Sequence, residues 1–275
     1  MSSGVPATAR VTRTARRTGG TKVSARTVPE ETPVALSYGG TTHAVMMATP
    51  ADLEDFALGF SVTEGIIASA DEIDTITVQE PGAGIDLQIR LRDTANRRFE
   101  ARRRRLAGPV GCGLCGIESI EEAMRSVPET ASAQRFTAAE VTGAVGDLHQ
   151  HQELHKATGA VHAAGFYIPG KGIIAAREDV GRHNALDKLA GALVKAGIDR
   201  STGAVIVTSR VSVEMVQKTA AIGAPLIAAV SAPTALAIRT AETAGMTLVA
   251  LVRGEEFDIF THPQRVTTGA ARHVA

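Results

Sequence analysis

The chain has few of the residue types that mark several large classes of protein. Of its 275 residues only two are cysteines, none is tryptophan, and aromatic residues make up 3%. So few aromatics argue against a protein that stacks the bases of single-stranded nucleic acid on its rings. The longest apolar runs, near residues 204–207 and 226–230, are strand-sized and fall far short of the ~18 residues that cross a membrane. We therefore expect neither a nucleic-acid partner nor a membrane span.

Acidic residues are absent from the first 26 positions, which hold six cations: Arg10, Arg13, Arg16, Arg17, Lys22 and Arg26. Because the whole chain has 29 basic and 29 acidic residues, the rest of it holds 23 bases and 29 acids, a net charge of about −6. The segment is rich in Thr, Ser, Ala and Gly without apolar periodicity, so residues 1–28 are predicted to form a disordered basic tail. No apolar run follows Arg16 and Arg17 as in an export signal, and we expect a cytoplasmic protein.

The remaining pattern predicts two parts. Two β-rich runs around Gly39 and Gly40 predict a hairpin, and a helix and two more strands complete a small α+β part over residues 29–127. From residue 128 to 275, continuous apolar strands alternate with helical patterns, including one predicted over about 137–156. Such alternation is typical of parallel strands buried on both faces, so an α/β core is expected here.

Polar residues follow the strands of this predicted core. In α/β sheets ligands bind outside the carboxyl ends of the strands, and Arg side chains, small hydroxyls and backbone N–H groups there favour phosphate. Each hydroxyl alone is better explained as a helix cap, but several such loops on one edge favour a ligand site. The candidate ligands in these loops are Arg182, His183, Ser209, Arg210 and Ser231.

Cys112 and Cys115 form a C-x-x-C pair in a glycine-rich turn. A deaminase-type zinc site needs an H-x-E before such a pair, whereas His151–Glu153 follows it, so no metal site is expected. A helix start and the nearby run 102–105 of four arginines should lower the pKa of a thiol, which favours sulfur transfer. The spacing alone leaves sulfur transfer and dithiol redox chemistry equally open.

Longer motifs resemble one family. The segments GCGLCG, TGAVHAAG (158–165), REDVGRHNALDK (177–188), TSRVSVEMVQKTAAIGAPLIAAVSAPTALA (208–237) and GMTLVALVRGEEFDIFTH (245–262) are similar, in this order, to the formate dehydrogenase accessory sulfurtransferases, the FdhD family. The N-terminal ETPVALSYGG and MMATPADLEDFALGFSVTEGII resemble it as well. The likeness runs from about Glu31 to His262, and the chain departs from the family pattern at Ser209 and Phe260.

This resemblance implies a fold, a reaction and partners. It implies a cytidine deaminase-like three-layer core without zinc, a homodimer, and Cys112 as a persulfide carrier with Cys115 as its partner. Sulfur would come from a cysteine desulfurase and pass to the molybdenum cofactor, bis-molybdopterin guanine dinucleotide, before that cofactor enters formate dehydrogenase. A GDP-like guanine nucleotide is a further expected ligand. The residues that match the family's cofactor-binding segment are Phe257, Asp258, Ile259, Phe260, Thr261 and His262.

Overall fold

The computed structural model describes residues 4–106 and 127–268, without the side chains of 102–106. In the N-terminal half the elements are β1 (Thr8–Arg17), β2 (Gly20–Pro29), β3 (Thr32–Tyr38), β4 (Thr41–Ala48), α1 (Leu53–Thr63), β5 (Ile73–Gln79), β6 (Ile85–Leu91) and α2 (Asp93–Leu106). They are followed by β7 (Phe136–Thr137), α3 (Ala138–Leu148), α4 (Glu153–Thr158), β8 (His162–Ile168), β9 (Gly172–Asp179), α5 (Arg182–Lys195), β10 (Ala204–Val207), α6 (Val213–Ile222), β11 (Leu226–Ala229), α7 (Ala235–Thr243), β12 (Thr247–Arg253), β13 (Glu256–Ile259) and β14 (Val266–Thr267). Short 3-10 turns lie at Ala70–Glu72, His149–His151, Arg200–Thr202 and Pro263–Arg265.

The N-terminal basic segment is ordered, and the prediction of a disordered tail is wrong for it. Strands β1 and β2 pair in antiparallel register from Thr8 opposite Pro29 to Arg17 opposite Gly20. Thr and Val recur among the arginines at strand-like positions, and these β-branched residues fit an extended ribbon even without a core to face. We call this two-stranded ribbon, residues 8–29, the arm.

The first compact part is a four-stranded sheet, in the order β4-β3-β6-β5, with α1 packed on it. The predicted hairpin is confirmed: β3 and β4 are joined at Gly39 and Gly40, whose φ angles of 58° and 78° suit a residue without a Cβ. Asp52 is the N-cap of α1, and its side chain makes no capping hydrogen bond.

The second part is a six-stranded sheet in the order β13-β12-β11-β10-β8-β9. Strands β10, β11 and β12 are parallel, as their apolar sequences predict, and β8 runs antiparallel to both β10 and β9. Side chains of α5, α6 and α7 join the apolar cluster on one face, and those of α3 join the cluster on the other. The chain is therefore a mixed α/β protein with helices on both faces of its larger sheet.

The helix predicted over about 137–156 is broken in the structure. Helix α3 begins with a capping box between Thr137 and Glu140, and α4 starts only at Glu153, after Gln152 at φ −99° and ψ 65°. The carboxylate of Glu178 on β9 accepts hydrogen bonds from the backbone N–H groups of the first turn of α4, at 2.7 and 2.8 Å. This external acceptor stabilises a second helix start that the sequence pattern does not reveal.

Helices α1 and α5 join the two parts. A Cβ on Gly59 would lie 1.7 Å from the Asp187 carbonyl oxygen, and one on Gly191 would lie 1.9 Å from that of Asp55. Beside this crossing the buried Lys218 ammonium lies 2.9 Å from the Asp187 carboxylate and 2.7 Å from that of Glu64. Close backbone packing and buried ion pairs thus fix the small sheet against the large one.

Candidate functional site

The polar loops singled out in the sequence meet at one edge of the six-stranded sheet. Because β9 and β10 both pair antiparallel with β8, they point the same way as β11 and β12, and all four strands end at this edge. Strand β8 begins there, with His162 opposite Asp179 and with the backbone N–H of Ala163 bonded to the Thr208 hydroxyl at 2.9 Å. We call this the carboxyl edge.

The first turn of α5 brings two of the predicted residues to the carboxyl edge. Its N-cap is Gly181, which has no side chain to accept a hydrogen bond from the backbone N–H groups of the first turn. His183 Nε2 lies 2.9 Å from a carboxylate oxygen of Glu214 and 3.4 Å from the Ser212 hydroxyl. The hydrogen bond from His183 lowers the pKa of Glu214, so this contact joins α5 to the start of α6.

One buried donor at this edge lacks a hydrogen-bond partner among the residues that the structure describes. The Arg182 Nε is buried and unbonded. His162 is half-buried; burial, followed by the positive charge of Arg182, lowers the pKa of its imidazole. A buried donor without an acceptor is costly, and a phosphate oxygen would satisfy it. These groups and the free helix N-terminus fit an anionic ligand.

Asp179 lies beneath the carboxyl edge and fixes the start of α5. Its fully buried carboxylate accepts hydrogen bonds from the N–H of Thr49 at 3.0 Å, from the N–H of Gly181 at 2.8 Å and from the Asn184 amide at 3.0 Å. The equally buried Lys188 ammonium lies 2.6 Å away. With every lone pair engaged, Asp179 positions the start of α5 and is not free to contact a ligand.

The loops after β10 and β11 present different groups. Ser209 is buried and its hydroxyl donates to the Arg210 carbonyl at 3.0 Å, whereas the Arg210 side chain is exposed. Ser231 is half-buried, and its carbonyl accepts from the N–H of Leu251, a residue with a φ of 58°. These two loops therefore offer an exposed, long cationic side chain, Arg210, and a small, half-buried residue, Ser231.

The structure divides the predicted segment 257–262. Phe257, Asp258 and Ile259 lie on β13, which runs antiparallel to β12 and therefore away from the carboxyl edge. Phe260 bonds to Leu248 through its N–H, and the buried Thr261 hydroxyl bonds to the backbone at the N-terminal end of β12.

His262 follows Thr261 at the same end of the sheet, and its Nε2 lies 2.9 Å from the Glu242 carbonyl oxygen. Thr261 and His262 thus lie at the end of the sheet opposite to Arg182, His183 and Ser209. Only the start of the segment, near Phe257, approaches the carboxyl edge.

Cys112 and Cys115 lie outside the described residues, as does the helix predicted after them. Within residues 4–106 and 127–268 no group of three or more His, Cys, Asp or Glu side chains could hold a metal ion. In the same part of the chain we find no helix long and apolar enough to cross a membrane.

A cleft of about 360 Å³ lies between the base of the arm and α4, but its Arg177 is already paired with Asp55 at 2.6 Å.

Sequence reasoning missed two residues that shape the site. Glu214 fixes His183, but one acid in the first turn of a helix has many ordinary explanations. Lys188 carried a usable signal, because Asp187 and Lys188 interrupt an otherwise apolar stretch of α5 and such charges are buried only when paired. That signal reveals burial but does not identify Asp179 as the partner.

Comparisons with known proteins agree with the motifs. The FdhD/NarQ family matches residues 29–267. A protein named sulfur carrier protein FdhD from Agrobacterium fabrum is 61% identical over 94% of this chain and 95% of its own length. One of the same name from Brucella abortus is 55% identical over 92% of the chain and 94% of its own length.

Similarity extends to a solved structure. A crystal structure assigned as a formate dehydrogenase accessory protein from Desulfotalea psychrophila superposes with a TM-score of 0.76 and 27% identity. The match covers 95% of this chain and all of that one. From its sequence over residues 29–267 and from its fold, the chain belongs to the FdhD/NarQ family of formate dehydrogenase accessory sulfur carriers.

Proposed function

We propose that this protein takes sulfur from a cysteine desulfurase as a persulfide on Cys112 and passes it to the molybdenum cofactor of formate dehydrogenase. Cys115 is the partner thiol, and the cofactor, in its bis-molybdopterin guanine dinucleotide form, is cargo. The observation that carries the proposal is the family membership, with relatives named as sulfur carriers over more than nine-tenths of the chain.

Loading is a thiolate exchange without net oxidation. The Cys112 thiolate attacks the outer sulfur of the donor's persulfide, the donor S–S bond breaks, and the donor cysteine leaves as a thiolate. The chain then carries one additional sulfur atom as a Cys112 persulfide. The arginines at 102–105 precede the pair in sequence and favour its thiolate form.

The carboxyl edge is proposed as the place where the cargo binds. A guanine dinucleotide pterin carries several phosphates, and the unbonded Arg182 Nε, the free N-terminus of α5 and the exposed Arg210 suit them. The half-buried Ser231 is accessible to a phosphate, whereas the buried Ser209 would act by fixing the loop that carries Arg210. A GDP-like nucleotide would use the same groups. His183, held by Glu214, is positioned beside them.

The role of the segment 257–262 is a separate proposal. Phe257 and Asp258 can contribute to cargo bound at the carboxyl edge. Ile259, Phe260, Thr261 and His262 lie progressively further from it along β13 and beyond. In a homodimer, which the family resemblance implies, these residues would contact cargo bound by the second subunit.

We also propose a cytidine deaminase-like core and a cytoplasmic location. The row β12-β11-β10-β8-β9, in which only β8 runs against the other four strands, supports the first, together with the helices on both faces; the terminal strand β13 is antiparallel to β12. The cysteine desulfurase and formate dehydrogenase are the two protein partners that this function requires. The cytoplasm, where thiols stay reduced, suits a carrier that works through a free cysteine pair.

Complementation tests the proposal in a bacterial strain that lacks its own FdhD-family protein. We expect Cys112→Ala to fold normally and to abolish formate dehydrogenase activity. Full activity in that variant would refute sulfur carriage, and activity without both thiols would indicate a cofactor-binding chaperone. Turnover of disulfide substrates with no persulfide would indicate a dithiol oxidoreductase.

Isothermal titration with GDP tests the binding edge in the purified protein. Arg182→Gln should raise the dissociation constant for GDP by roughly 10-fold or more, because a charge-assisted hydrogen bond is lost. The matched control is Arg239→Gln, which changes an exposed arginine on α7 and should leave the affinity unchanged. Equal affinity in wild type and Arg182→Gln would remove Arg182 from the site.

A further inference from the structure

The C-terminal end of α2 carries a dense positive charge. The helix has six arginines and two acids, and four of the arginines occupy the consecutive positions 102–105. Of the two arginines that precede this run, Arg98 is paired with Glu72 at 2.7 Å and Arg97 is exposed. The positive charge therefore increases toward the end of the helix at which the helix dipole favours cations.

The apolar stripe of α2 stops before this end. The first part of the helix buries Ala95 and Phe99, and the centre of the Phe99 ring lies 4.9 Å from that of Tyr38. At helical spacing the stripe would continue at positions 102 and 103, and both are arginine. Because consecutive helical positions are rotated by about 100°, the positions 102–105 lie on every side of the helix. We call these four residues the basic helix end.

The basic helix end is close in the chain to the proposed sulfur carrier. Cys112 follows Leu106, the last residue of α2, by six positions, and six residues of fully extended chain reach at most about 22 Å. A donor protein that delivers sulfur to Cys112 must therefore bring its surface within that distance of the helix end. Exposed charges still attract each other over such distances at low salt, where the screening length is about 30 Å at 0.01 M and about 10 Å at 0.1 M.

We infer that the basic helix end docks an acidic surface of the sulfur donor, the cysteine desulfurase, beside the donor's persulfide cysteine. The inference rests on the proposed function and names the surface that recognises this donor. Opposite charges would steer the two proteins together and hold the donor near Cys112. Nucleic acid fits less well, because the one aromatic residue of α2, Phe99, is 5% exposed and cannot stack on a base.

Loading of the full chain by a purified cysteine desulfurase with free cysteine tests the inference. The gain of about 32 Da, followed by rapid quenching and intact mass, gives kcat/KM for loading at about 50 and 500 mM salt. In the wild type kcat/KM should be ~10-fold or more lower at the higher salt. R103E/R104E should lower it by ~10-fold or more at the lower salt and remove most of the salt dependence.

Two controls accompany the charge reversal. K171E/R239E reverses two exposed cations elsewhere in the chain and should load as the wild type does. Circular dichroism checks that each variant is folded. Alkylation of Cys112 by iodoacetamide, read by peptide mass mapping, reports the thiolate fraction, because this reagent is small and uncharged and needs no docking surface. R103E/R104E should slow loading at least ~5-fold more than it slows alkylation.

The outcomes separate docking from other roles of the arginines. Equal slowing of loading and alkylation would mean that the arginines act on the thiol alone, and it would overturn the inference. A reversal that only removes bound nucleic acid would overturn it too. A wild type that gains no sulfur would overturn the proposed function and this inference together, whereas R103E/R104E loading as fast as wild type would overturn the inference alone.

Discussion

The buried pair of Asp179 and Lys188 offers a quantitative test of how the carboxyl edge is held. Both side chains are fully buried, and the ammonium lies 2.6 Å from the carboxylate. Replacing Asp179→Asn keeps the size of the side chain but removes its charge. One acceptor oxygen also becomes a donor amide facing other donors.

The expected cost follows from what remains behind. Lys188 keeps the Thr49 carbonyl at 2.9 Å and the Phe56 ring at 5.8 Å, but among the described residues no other carboxylate pairs with its ammonium. Leaving one member of a buried ion pair uncompensated costs about 3–5 kcal/mol. A typical domain has a free energy of unfolding of about 5–15 kcal/mol, so this single change should consume a large fraction of it.

Urea unfolding, followed by far-UV circular dichroism at neutral pH, measures this loss as a lower midpoint. The double variant D179N/K188M removes both charges and should be more stable than D179N alone. Glu153→Gln breaks the exposed pair with Lys156 and should have little effect on the midpoint. If D179N lies within about 1 kcal/mol of wild type, or the double variant is no more stable than D179N, the ion pair does not hold the edge in the way described.

Two further changes test the site and the junction between the two parts. Because the pKa of His162 is lowered in the folded state, the unfolded chain takes up a proton first as the pH falls. The free energy of unfolding should therefore drop between about pH 7.5 and 5.5 more steeply in wild type than in His162→Gln; parallel curves would contradict this. Gly191→Ala should force α1 and α5 apart and cost about 2 kcal/mol or more, whereas Gly143→Ala, with no atom within 4 Å of the new Cβ, should be harmless. Equal stability of the two alanine variants would argue against the close crossing.

Sequence reasoning succeeded where hydrophobic period and turn chemistry are local. The strands β10, β11 and β12, the helices between them, and the hairpin at Gly39 and Gly40 all lie where the pattern predicts them. The meeting of the polar loops at one edge followed from strand direction alone. These features depend on the order of apolar, polar and glycine residues within a short segment of the chain.

The errors arise where a distant residue decides the local structure. Glu178 lies more than twenty positions from the first turn of α4, which its carboxylate stabilises, so the break after α3 has no local signal. The arm was predicted to be disordered because it has no apolar periodicity, yet β-branched residues and cross-strand pairing formed a ribbon. The division of 257–262 between two ends of the sheet depends on β13 turning back along β12, which the motif does not encode.

Intact-mass analysis of the purified protein tests the central claim most directly. After incubation with a cysteine desulfurase and free cysteine, the wild type should gain about 32 Da, the mass of one sulfur atom. Cys112→Ala should not gain this mass, and a reductant should remove it from the wild type. If the wild type instead loses about 2 Da, a disulfide has formed and no sulfur is carried; if Cys112→Ala gains the sulfur as wild type does, Cys112 is not the carrier.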